Sequence, residues 1–188
     1  IDLYIGSQLV ERLWGEYIEL KYDLEVPLSK QGALQALTGK GTQGVLSNYT
    51  VPIPFSCLEK GLPMCAIKDD VTIRVIWRPV SFFTAAALNT TGTFDSTLHV
   101  EYAYIGDKEI EAIKASSKLR LFEQVQRAQF FVGQGATSVV CPLQFVNPVK
   151  ELFIIIQNDT ATGYDYSNVT NGSTSQLQDL TLFFNSTE

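Results

Sequence analysis

Two stretches of the chain alternate residue by residue between apolar and other side chains. That period of two is met only by an extended strand with one face against a core. In Val71-Thr-Ile-Arg-Val-Ile-Trp77, the residues Val71, Ile73, Val75 and Trp77 point one way. Leu98-His-Val-Glu-Tyr-Ala-Tyr104 repeats the pattern with Leu98, Val100, Tyr102 and Tyr104. Three more segments read as strands: Ile1–Ile5, the continuous apolar run Leu152–Ile156, and Leu180–Phe184. Thr50–Phe55 places Val51, Ile53 and Phe55 on one face, but Pro52 and Pro54 cannot donate to a ladder. That segment is expected at a sheet edge or as irregular chain.

Helical signals are fewer. Leu9, Leu13, Tyr17, Leu20 and Leu24 recur at intervals of three and four, which predicts a helix within Gln8–Leu24 that Gly15 weakens. Pro27 near the start and Gly39 past the end bracket a short helix over Pro27–Leu37. Asp107–Lys118 is the clearest: Asp107 is placed to cap it, acids fill the first turn, and Lys114 and Lys118 come late. Short strands with a few helices in the connections point to an all-β class, a sandwich or jelly roll. A polar stretch from Asn158 to Gln176 and the small-residue segment Asn89–Thr93 read as loops.

Composition excludes several functions. With 188 residues, 45% hydrophobic and 18% charged, the chain has enough apolar surface to bury a core. A net charge of −6 and the lack of a basic stripe argue against direct nucleic-acid binding. The longest apolar run is far too short to span a membrane, so no membrane insertion is expected. A single histidine, His99, excludes most multi-histidine metal sites. Cys57, Cys65 and Cys141 form no CxxC pair, so they read as thiols packed as small apolar residues.

Catalytic arrangements find little support. His99 lies beside Glu101 on the expected outward face, and a general base needs a nucleophile and an orienting group. Asp69-Asp70 reads as a solvated turn, and Asp107, Glu109 and Glu111 belong to a helix start. Gly133-Gln-Gly135 has no following helix with a third glycine, and Gly39-Lys-Gly41 lacks phosphate-loop spacing. No catalytic residue, metal ligand or cofactor is expected. The sequon Asn-x-Ser/Thr occupies six of the seven asparagines: Asn48, Asn89, Asn158, Asn168, Asn171 and Asn185. Chance would place about one of seven there. These six are the candidate glycosylation sites, although clustering of Asn, Ser and Thr in exposed loops accounts for much of the excess.

Several segments together resemble the major capsid proteins of nucleocytoplasmic large DNA viruses, of the iridovirus and algal-virus type. They are Ile1–Leu20, Val51-Pro-Ile-Pro-Phe55 with the following Gly61-Leu-Pro63, Asp70–Val75, Val100–Glu109, Glu123-Gln-Val-Gln126, and Phe145-Val-Asn-Pro-Val-Lys-Glu-Leu152. Met64 and Cys65 after Pro63, and Val146 before Asn147 with no histidine, depart from that family's pattern. The resemblance implies part of a double jelly roll with a few short connecting helices. Residues 1–106 would hold the later part of the first jelly roll, 107–126 a helix-containing linker, and 127–188 the start of the second. It implies a non-enzymatic structural subunit of an icosahedral shell, assembling as pseudo-hexagonal homotrimers with lateral contacts between trimers. Minor capsid proteins would be partners, and the place would be the virion shell, assembled in the host cell. Two whole jelly rolls need more chain, so these residues would be part of a longer polypeptide. The alternative is a carbohydrate-binding jelly-roll module using Tyr164, Asp165 and Tyr166.

Overall fold

A computed structural model describes residues 1–39, 49–77, 95–116, 121–133, 135–156 and 177–183, together with the backbone of 170–171 and 174–175. The chain forms two compact units. One comprises Ile1–Ile76 with Ser96–Ala136, and the other Trp77–Asp95 with Thr137–Glu188.

The first unit is built on a hairpin. Strand β1 (Asp2–Ile5) turns through Gly6-Ser7 into β2 (Gln8–Arg12), pairing antiparallel. Gly6 supplies the φ of +58° that a two-residue hairpin loop needs. A Cβ at Gly6 would also crowd Asp69 at 3.2 Å. Strand β3 (Val71–Arg74) lies antiparallel on the other side of β1, giving the order β2-β1-β3. Leu3 pairs with Glu11, but the next residue, Tyr4, pairs with Leu9. Val10 is therefore an extra residue, a β-bulge in the outer strand.

The expected helix across Gln8–Leu24 is corrected: its first third is β2, and helix α1 runs from Gly15 to Glu25. The three- and four-residue spacing is split by the hairpin, and Gly15 is the first helical residue, so it does not interrupt the helix. Helix α2 (Leu28–Thr38) follows Pro27 and stops at Gly39, which takes a left-handed φ of +77° and returns its N–H to Gln35 O. This is the expected Pro-start, Gly-stop pattern. Helix α3 spans Asp107–Ala115 and packs on the one-turn helix Met64–Ala66. Gly106, not Asp107, holds the cap position, and Asp107 and Glu109 supply first-turn acids with Lys114 in the last turn. Lys118 lies outside the described residues.

Leu3, Val10, Leu13, Ile18, Phe55 and Cys57 form the buried core, with Ile53, Val71, Ile73 and Val125 packed against it. β3 keeps the predicted alternation over Val71–Arg74, with Val71 and Ile73 half-buried and Thr72 and Arg74 exposed. The strand ends there, and Val75 and Trp77, expected on the inward face, are exposed where no strand continues. The Thr50–Phe55 segment is irregular chain that ends in the buried Phe55, as the two prolines dictate.

The chain thus has an antiparallel sheet, but helical residues outnumber strand residues among those described. In the second unit, the pairing described is a short hairpin of β4 (Thr170–Asn171) with β5 (Thr174–Ser175). Leu98–Tyr104, Leu152–Ile156 and Leu180–Phe183 are in neither helix nor strand, and Phe184 lies outside the described residues. The alternation of Leu98–Tyr104 sets which way each side chain points. It does not supply the neighbouring strand that a ladder requires.

Truncating Leu3→Ala should cost about 2–5 kcal/mol, because the side chain is fully buried at the centre of this core. Val75→Ala, on an exposed position beyond β3, should change stability by about 0.5 kcal/mol or less. Urea unfolding of the two variants checks the contrast.

Candidate functional site

The polar chemistry of the first unit gathers along the β1–β2 hairpin. Two carboxylates there are almost wholly withdrawn from water, Asp2 at 1% and Glu11 at 2% exposure. Each is satisfied differently. Asp2 takes a two-point hydrogen bond from Arg12, Nε to Oδ1 at 2.6 Å and Nη2 to Oδ2 at 2.7 Å. The planar guanidinium fork matches a carboxylate in this way. That bond holds the Asp2 carboxyl below the usual carboxylate range, against burial, which acts the other way. The same pair raises Arg12.

Glu11 instead accepts from two consecutive backbone amides, Ser56 N–H at 2.9 Å and Cys57 N–H at 3.2 Å. These amides open the one-turn helix Ser56–Leu58, whose first N–H groups have no partner within the helix. A side chain distant in sequence thus performs the task of an N-cap.

Residues Glu123–Arg127 run beside β2. Glu123 N–H donates to Ser56 Oγ at 2.9 Å, and Gln124 Nε2 donates to Val10 O at 2.6 Å. Arg127 approaches Glu16 at 3.8 Å. Between this segment and β2 lies an open groove of about 320 Å³, lined by Leu9, Arg12, Trp14, Gln124 and Gln126 among others. Burial pushes the Tyr17 hydroxyl up, with Lys21 opposing and Glu25, Glu123 and Glu11 assisting. Lys21 is also raised: burial opposes this, and Tyr17, Glu25 and Glu123 outweigh it.

The residues singled out from sequence fall elsewhere. His99 and Glu101 are exposed, as are Asp69 and Asp70. Asp69 lies at a bend, and Asp70 O accepts the Gly6 N–H at 2.8 Å, a cross-strand bond that continues the β1–β3 pairing by one residue. Gly135 has a φ of +80°, and Ala136 N–H bonds Gly133 O at 3.0 Å, so that glycine pair makes a turn. All three cysteines are free thiols, but only Cys57 is buried; Cys65 is intermediate and Cys141 exposed, which corrects the expectation of three packed thiols. Among the described residues, no group of three or more His, Cys, Asp or Glu is placed to hold a metal ion. No described helix is long and apolar enough to cross a membrane. Of the sequons, Asn171 sits at the turn end of β4, paired with Thr174. Asn48, Asn89, Asn158, Asn168 and Asn185 lie outside the described residues, as do Tyr164, Asp165 and Tyr166.

Sequence reasoning missed Asp2, Glu11 and Arg12. Gly6-Ser7 between two apolar runs is a hairpin signal that would have put all three in paired strands. No family model, curated protein or solved structure matches this chain.

Two outcomes are expected. Glu11→Ala strands two amides and should cost about 1–3 kcal/mol for each one left unsatisfied. Glu11→Gln keeps one acceptor and should lose less, and chemical denaturation ranks the two. For Asp2, the folded state holds the carboxyl below its unfolded value. The pair therefore adds stability above the unfolded carboxylate range, and loses it as pH falls through the lower folded value. The stability gap between parent and Asp2→Asn should be widest near neutrality and shrink on acidification, measured by urea unfolding across pH.

Proposed function

We propose that the chain is a structural subunit of an icosahedral virus shell, built on jelly-roll domains and assembling as pseudo-hexagonal trimers. One observation carries the reading. Strand-patterned segments hold large apolar side chains out in solvent: Tyr102 is 82% and Tyr104 95% exposed, and Leu152, Phe153 and Ile154 are also exposed. Monomeric soluble proteins rarely leave apolar patches beyond a few hundred Å² uncovered. An assembly subunit buries such surface against neighbouring polypeptide.

The polar chemistry of the β1–β2 hairpin and of Glu123–Arg127 agrees with a structural role. Asp2, Glu11, Arg12 and Gln124 each hold another part of the same unit in place. The resemblance of Ile1–Leu20, Val51–Phe55 and Glu123–Gln126 to large-DNA-virus capsid proteins supplies the type of assembly.

The test is the mass of the native particle by light scattering after size exclusion, beside the mass of the denatured polypeptide. A threefold ratio is expected. A monodisperse monomer would overturn the proposal.

A further inference from the structure

β2 is the outermost strand of its sheet, and one of its long edges faces away from β1. Ile1 and Leu13 exchange both backbone bonds, at 2.7 and 2.8 Å. Bonding alternates along an antiparallel pair, so Arg12 turns its N–H and C=O outward. At the bulge the Val10 carbonyl is also bonded outside the ladder, by the Gln124 side-chain amide, which donates to it. A row of outward backbone groups is a template for pairing with another chain.

We propose that Gln124 is an edge guard: its amide on the Val10 carbonyl, with the Glu123–Arg127 strap behind it, keeps β2 from forming a ladder with a second copy of this chain. A side-chain amide suits this task. It satisfies the carbonyl as a peptide N–H would, but it carries no further backbone along which a ladder can grow. The strap is held by Glu123 on Ser56, Gln124 on Val10 and Arg127 on Glu16. Its attachment through side chains, with an open groove beneath, covers the edge without extending the sheet. The inference stands apart from the shell reading, because it concerns which edge is closed and holds whether or not other surfaces assemble.

The test compares the full chain with Gln124→Leu, which fills the same space without a donor, and with Gln124→Ser, too short to reach. Amide exchange across residues 8–13 is followed at low and high protein concentration, with sedimentation velocity alongside. In the parent, β2 exchange should not depend on concentration. In both variants, raising concentration should slow it about tenfold or more as edge amides become paired, and a species of doubled mass should appear. Adding Leu9→Lys, a charge on the groove side of the same strand, should restore parental behaviour. Val10→Ala, which loosens the core but keeps the guarded carbonyl, should behave as the parent does. Concentration-independent exchange in the Gln124 variants would overturn the proposal, as would equal association by Val10→Ala.

Discussion

A carboxylate removed from water must be given hydrogen bonds, and the first unit is organised around that demand at Glu11. Its two oxygens reach Ser56 and Cys57, which anchors the chain that follows the Pro52/Pro54 segment and seats Phe55 and Cys57 in the core. Ser56, held in place, then offers its hydroxyl oxygen to Glu123. One buried side chain thus links the hairpin, the one-turn helix and the strap, three segments far apart in sequence. Unsatisfied, it would cost more than most single core contacts contribute.

The two buried carboxylates of the hairpin show how charge can be accommodated in different ways. Asp2 meets a full positive charge, so its contribution depends on pH and on the guanidinium geometry. Glu11 meets neutral amides fixed by the backbone, which need no second ionised group and little side-chain ordering. The ionic pair closes the open end of the hairpin, opposite the Gly6-Ser7 turn, and the amide pair joins that hairpin to the rest of the unit.

Local signals carried much of the fold, and partner-dependent features did not. Pro27 and Gly39 bounded α2 because one presets φ and the other accepts a left-handed one. The alternation of Val71–Arg74 survived as β3 because β1 was there to pair with it. The same alternation in Leu98–Tyr104 meets no described ladder, since periodicity says nothing of a partner. The β2 segment was hidden because Leu9 and Leu13 happen to continue the spacing of Tyr17, Leu20 and Leu24. Gln124 lay within a segment already noted for its resemblance, but its task depends on a carbonyl distant in sequence, which no local pattern reveals.

The extra residue at Val10 also bears on how this strand can change in length. In a regular strand, losing one residue turns every later side chain to the opposite face. Here a deletion at position 10 would leave Leu9 and Glu11 adjacent, opposite Tyr4 and Leu3, and the ladder would become regular. What would be lost is a core side chain and the carbonyl that Gln124 holds. In β2, pairing and packing are therefore separable: its backbone would tolerate a shorter strand that its interior would not.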